Sequence, residues 1–237
     1  MKLIFRFIKG LVITIVVLII ATLILGFGYY CYAIYKTPVE LKISSIMNDK
    51  NYVELSDISP DFINAVIAVE DPNHYEHGAV NLRAIIKAVE VNLSSKDLVM
   101  GGSTISQQVA KNVFFTQDRN FIRKTAEVFM AYDLERKYSK DEILTIYVNI
   151  NYYGDNYTGI KQAALGYFNV LPSELTVAQA TLLAGIPNAP TAYRLSDGFE
   201  LAKKRQRIVL DCMIEVGFLT KEQADIIYES KVNYGDN

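Results

Sequence analysis

The apolar positions of this chain form one long unbroken block, followed by a series of short helical periods. No charged residue occurs from Gly10 to Tyr35, and a helix needs about 20 apolar residues to cross a bilayer. The block exceeds the apolar region of a cleavable secretory signal, about 7–15 residues before a small-residue site; an uncleaved signal sequence is the competing reading. Lys2, Arg6 and Lys9 precede the block, and Tyr29, Tyr30, Tyr32 and Tyr35 close it like an aromatic belt at the far interface. Residues 1–36 therefore read as a cytoplasmic tip and a single-pass anchor in the cell membrane, which places residues 37–237 outside the cytoplasm.

Residues 37–58 read as a polar, partly extended linker containing Pro38, with Asn51–Leu55 the one strand candidate. The period then becomes helical. Ser59-Pro60 supplies a cap and a proline at the first helical position. Phe62, Ala65, Val66 and Val69 make one apolar face, Ile63 and Ile67 a second, and Glu70-Asp71-Pro72 ends the helix. An amphipathic helix fits Leu82–Leu93. After Leu98-Val99-Met100, an apolar segment suited to dipping into the interface, Gly101-Gly102 opens into a helix capped by Ser103 or Thr104. Asp118 is placed to cap a long helix to about Tyr138. Ser139–Glu142 and Thr176–Gln179 have the form of capping boxes, helices fit 160–168, 197–216 and 220–230, and Gly217 closes the second of these. The fold class is mainly α, with the folded domain at 59–237.

Composition narrows the partners. The formal net charge is −2, so bulk electrostatics gives no case for nucleic-acid binding, and any anion site must be local. Cys31 lies in the anchor and Cys212 in the domain, so a disulfide between them is not expected, and neither has the surroundings of a nucleophile or a metal ligand.

Three places carry candidate chemistry. Glu70 ends a helix that is apolar all round, which predicts a desolvated carboxylate suited to a general base, with Asp71 beside it and Pro72 opening the pair to a cleft. The bland alternative is a carboxylate held by a distant arginine, although helix C-termini disfavour anions. His74 and His77, the only histidines, follow directly; they read as loop-ordering hydrogen bonders, and a Glu/Asp/His/His zinc site is the weaker reading because no further ligand cluster supports it. The Gly-Gly-Ser-Thr helix start presents backbone N–H groups and the positive end of the dipole, with Gln107, Gln108 and Lys111 one turn apart, an arrangement suited to a sugar phosphate. Arg119, Arg123 and Glu127 recur at four-residue spacing with Lys124 beside them. Such a face is commonly just solvated, but with Lys111 it makes a cationic cluster suited to a diphosphate.

Taken in order, Val-Glu-Asp-Pro-Asn-His-Tyr-Glu-His-Gly (69–78), Gly-Gly-Ser-Thr-Ile-Ser-Gln-Gln-Val-Ala-Lys-Asn (101–112), Arg-Lys-Thr-Ala-Glu (123–127), Leu-Glu-Arg-Lys-Tyr-Ser-Lys-Asp-Glu-Ile-Leu (134–144), Gly-Ile-Lys-Gln-Ala-Ala-Leu-Gly-Tyr-Phe (159–168) and Leu-Leu-Ala-Gly-Ile-Pro-Asn-Ala-Pro (182–190) resemble the peptidoglycan glycosyltransferases, family 51. The resemblance implies a lysozyme-like helical domain behind a single transmembrane helix, and an enzyme that polymerises lipid II into glycan strands. It makes Glu70 the catalytic base and Glu127 the second catalytic glutamate. Asp71, His77, Ser103, Thr104, Gln107, Gln108, Lys111, Arg119, Arg123 and Lys124 become substrate-binding, and a divalent metal, Mg2+, is expected near Glu127. Partners implied are lipid II, the nascent strand, the membrane, and cell-wall synthesis or division proteins. His74 departs from the family pattern, which usually has phenylalanine there; packing or pH response near Glu70 is where this matters. No Ser-x-x-Lys occurs, so a monofunctional form is expected.

The implied reaction is inverting transfer. Its leaving group, a lipid pyrophosphate, is a weak base that needs cations more than a general acid. A glycan-cleaving, lysozyme-like enzyme is the rival within enzymes and would have little use for the cationic cluster. A cell-wall scaffold that has kept the fold is the non-enzymatic rival.

Overall fold

The computed structural model describes residues 2–95, 101–116 and 120–235. Leu98-Val99-Met100, Asp118 and Arg119 lie outside the described residues. Twelve α-helices follow one another among those described: α1 Lys2–Lys36, α2 Val39–Met47, α3 Pro60–Glu70, α4 Leu82–Ser95, α5 Ile105–Phe114, α6 Phe121–Lys137, α7 Lys140–Ile150, α8 Ile160–Phe168, α9 Val177–Gly185, α10 Pro190–Tyr193, α11 Phe199–Glu215 and α12 Lys221–Glu229. The only β pairing among them is an isolated bridge between Tyr152 and Thr158.

The helices gather in two groups. In one, α3, α9 and α11 pack on one another and α12 covers α11. In the other, α5 lies between α6 and α7, and α1 lies along α6. The groups share one apolar core that includes Phe62 and Val66 of α3, Val109 of α5, Met130 of α6, Leu144 of α7 and Leu182 of α9. Polar groups inside it are answered by the backbone: Gln206, fully buried, donates to the Ala178 carbonyl and to Thr181 Oγ1, both at 2.9 Å.

Local chemistry sets the helix ends. Thr104, Ser139, Thr176 and Thr220 each close a capping box, two of them at the positions the sequence marks. Ser59 differs from expectation: its hydroxyl makes no cap bond, and Pro60 alone sets the start of α3. The Ser59 N–H donates instead to the Pro172 carbonyl at 3.0 Å. The cap of α6 is Asn120, whose side chain accepts from the Arg123 N–H at 2.7 Å. Gly217 takes a φ of +80° and ends α11, as an L side chain there would not do without strain.

The segment after the anchor is not an extended linker. Residues 39–47 are helical and send Val39 and Ile43 into the core. Asn51–Leu55 forms no strand because its backbone finds a side-chain partner: the Val53 N–H donates to Asn149 Oδ1 at 3.0 Å, and Asn149 Nδ2 donates to the Val53 carbonyl at 2.9 Å. A carboxamide offers both a donor and an acceptor, so it replaces a neighbouring strand here.

One helix, Ile4–Lys36, is long and apolar enough to cross a membrane. Its first two-thirds are bare, but its far end is packed. A Cβ on Gly26 would lie 2.5 Å from Thr125 Cβ, so the helices meet backbone to side chain there. Phe27 stacks edge-on against Phe129 of α6 at 5.3 Å, and Tyr29 against Phe115 at 5.1 Å. Of the four tyrosines in the expected belt, Tyr29 and Tyr30 pack on the domain, while Tyr32 and Tyr35 remain exposed. The amphipathic α4 turns its apolar stripe outward, with Leu82, Ile86, Val89 and Leu93 all exposed.

Phe62 is fully buried, so Phe62→Ala leaves a cavity that the surrounding helices cannot close. A loss of about 3–5 kcal/mol in unfolding free energy is expected from denaturant titration in detergent. A loss below about 1 kcal/mol would show that α3 is not central to the core.

Candidate active site

The C-terminus of α3 and the N-terminus of α5 meet at one residue. Asp71 is buried, and its Oδ2 accepts the Ile105 N–H at 3.1 Å, one of the donors that a helix start leaves without an internal partner. His77 Nε2 donates to Oδ1 at 2.7 Å, and His74 Nδ1 stands 3.5 Å from Oδ2. Burial alone would raise the Asp71 carboxyl, but the neighbouring His74 and His77 imidazoles and the Ile105 N–H together hold it below the usual carboxylate range. The stability it contributes is therefore present at neutral pH and lost only as pH falls through that depressed value. His74 is fully buried and donates through Nε2 to the Lys140 carbonyl at 3.2 Å. Both histidines order the loop after α3. Among the described residues no three carboxylate, histidine or cysteine side chains gather as metal ligands.

That junction aims Glu70 into a cleft of about 550 Å³ between α3, α4, the 101–104 loop and α11. Glu70 is half-buried, less enclosed than the apolar helix implies, because it lines this cleft. Gln108 Nε2 donates to Glu70 Oε2 at 2.8 Å, which fixes the carboxylate against α5. Thr104 and Gln107 are buried in the capping box of α5, and Thr104 Oγ1 also donates to the Ala79 carbonyl at 2.8 Å. They build the wall of the site from behind. Ser103 reaches the cleft, where Lys124 Nζ donates to its hydroxyl at 2.7 Å.

Glu127 is 1% exposed and Arg123 9%. A merely solvated helix face would be open, so this pair has another purpose. Arg123 Nη1 bonds Glu127 Oε1, and Lys124 Nζ lies 3.1 Å from Oε2. A buried carboxylate needs such partners, but one partner would suffice, and Lys111 adds a third cation within electrostatic reach. Burial, above all, lowers the Lys111 ammonium from its usual range; Arg123 and Lys124 push the same way, while Glu127 and Glu70 oppose. Lys111 thus feels both glutamates. Three cations around one carboxylate leave a local positive surplus in a chain of near-zero net charge, which suits an anionic ligand. With both oxygens of Glu127 engaged by cations, the residues present do not form a divalent-metal site of their own.

The structure brings together Glu70, Asp71, His77, Ser103, Thr104, Gln107 and Gln108 around the α3–α5 junction, and Lys111, Arg123, Lys124 and Glu127 beside it; Arg119 is outside the described residues. The sequence reading passed over Arg83 and Lys87, which line the cleft from α4. Their four-residue spacing was the available signal. Cys212 and Glu215 of α11 also line it, and burial raises the Cys212 thiol. Both cysteines are free.

A family model described as Transglycosylase matches residues 40–214. Penicillin-binding protein 1A of Neisseria flavescens is 38% identical over 185 residues, covering 78% of this chain and 23% of that protein. Penicillin-binding protein 1F of Bacillus subtilis is 36% identical over 235 residues, covering 91% of this chain and 33% of that protein. The chain thus spans a quarter to a third of the length of these relatives. A crystal structure of penicillin-binding protein 1A from Haemophilus influenzae aligns with a TM-score of 0.47 at 20% identity, over 78% of this chain and 18% of that one.

Because Lys111 is lowered from the usual 10.5, its charge is lost on a shorter rise in pH than an ordinary lysine needs. Binding of inorganic pyrophosphate, followed by calorimetry, should weaken on the alkaline side, and Lys111→Arg should carry binding to higher pH. Coincident alkaline limbs in the two proteins would remove Lys111 from the anion site.

Proposed function

This chain belongs to the transglycosylase family, and we propose that it is a peptidoglycan glycosyltransferase that polymerises lipid II by inverting transfer. The observation that carries the reading is the pairing of a half-buried carboxylate, Glu70, held by Gln108, with three cations gathered on one buried carboxylate, Glu127. A hydrolase acting on a sugar leaving group wants a carboxylic acid at that oxygen. A transferase expelling a pyrophosphate wants positive charge.

In this reading Glu70 takes the proton from the GlcNAc 4-hydroxyl of lipid II as that oxygen forms its bond to C1 of the donor MurNAc. The bond from C1 to the undecaprenyl pyrophosphate breaks, and its electron pair leaves with the phosphate. Lys111, Arg123 and Lys124 meet that charge, with Arg119 the further candidate. Glu127 keeps the cations apart and aimed; Ser103 and Gln108 contact substrate, while Asp71, His77, Thr104 and Gln107 fix the walls. A divalent ion such as Mg2+ would be held by the phosphates, since both oxygens of Glu127 are engaged by Arg123 and Lys124.

Placement fits a substrate that stays in the bilayer. The apolar α1 spans the cell membrane with its basic end in the cytoplasm, the domain lies outside, and the outward apolar stripe of α4 suits the membrane surface. The nascent glycan strand is the other substrate, and cell-wall synthesis or division proteins are the expected partners.

Incubation with labelled lipid II tests the assignment. Wild type should build polymer, and Glu70→Gln should lower the rate at least about 100-fold, the usual contribution of a general base. Undiminished polymerisation by Glu70→Gln would remove it as the base. Shortening of preformed glycan without polymer growth would establish the cleaving enzyme instead.

A further inference from the structure

Glu70 is held by Gln108, and the question is what holds Gln108. A carboxamide has a donor end and an acceptor end of nearly equal shape. Only its Nε2 helps a carboxylate; its Oε1 in the same place would oppose two acceptors. The other end of the Gln108 amide meets Tyr147, on α7, whose hydroxyl donates to Oε1 at 3.3 Å. Tyr147 is 2% exposed and its ring is fixed in the core.

A hydroxyl can also accept, so its direction has to be set in turn. Gln108 does this: with Nε2 turned to Glu70, its Oε1 faces the phenol and can only accept, so the hydroxyl donates. Asn151 makes no bond to the phenol: its buried Nδ2 has no hydrogen-bond partner among the described residues, and its Oδ1 accepts from Asn112 Nδ2 at 3.2 Å. Burial, and then the Glu70 charge, push the phenol well above its usual range, so it remains a donor at any working pH. Donation therefore runs one way, from Tyr147 through Gln108 to Glu70.

We propose that Tyr147 is a positioning residue for the reaction, orienting the Gln108 carboxamide so that Nε2 holds the Glu70 carboxylate at the cleft wall. The proposal rests on the reading of Glu70 as the base. Tyr147 is buried and donates to Gln108, and acting through that amide makes it separable from a residue that merely fills the core.

Tyr147→Phe keeps the ring and removes the donor. With lipid II, kcat should fall about tenfold, the worth of one ordinary hydrogen bond, with KM unchanged. In a Gln108→Ala background the same substitution should cost nothing further, because the residue it acts through is gone. An unchanged kcat in Tyr147→Phe, or a full tenfold loss repeated in the Gln108→Ala background, would overturn the proposal. A second readout does not depend on turnover. The Gln108 side-chain amide protons, followed by NMR in detergent, should be protected from exchange in wild type and lose that protection in Tyr147→Phe. Equal protection in both would also overturn it. Failure of wild type to polymerise lipid II would count against the assigned activity, while the exchange measurement would still decide the role of Tyr147.

Discussion

Asp71 sits where α3 ends, out of water, and an unpaired carboxylate there would cost several kcal/mol. It is satisfied by the first N–H of α5, 34 residues away, and by the imidazoles of the loop that follows α3. Those partners tie the α3–α9–α11 group to the α5–α6–α7 group at one point. Glu70 is the preceding residue, and Gln108 is on the first turn of the helix that Asp71 caps. The same contact that closes the fold therefore sets the distance between the proposed base and the helix that holds it.

The second constraint is electrostatic. Glu127 could be satisfied by Arg123 alone, yet Lys124 and Lys111 crowd the same space. Burial above all lowers the proton affinity of Lys111, and the neighbouring Arg123 and Lys124 add to it against the pull of Glu127 and Glu70. Such an arrangement is relieved by an anion. In the proposed reading the affinity for negative charge lies locally in α5 and α6, so no overall positive charge is needed.

Much of this was legible in the chain. The capping boxes at Ser139 and Thr176, the proline start of α3, Gly217 and the apolar block at the N-terminus all depend on neighbours within a few residues, and local chemistry decides them. The misread parts depend on distant partners. Val53 found Asn149 in place of a strand. Residues 39–47 became helical in forming part of the core with Val39 and Ile43. Thr104 and Gln107 also build the capping box of α5, since capping and binding use the same side chains, and Thr104 lines the cleft as well. Tyr147 shows no sign in sequence of lying behind Gln108, since the contact joins residues 39 apart.

The packing of α1 on α6 has a consequence for what the folded unit is. Gly26 against Thr125, and Phe27 against Phe129, mean that the end of the apolar helix completes the surface of the helix bearing Arg123 and Glu127. The apolar helix is then not interchangeable with any other hydrophobic stretch of equal length. A fragment lacking α1 would bare an aromatic flank on α6 and lose its neighbour, and a chimera with a foreign apolar helix would have to reproduce one glycine at one register. The apolar helix is itself part of the architecture.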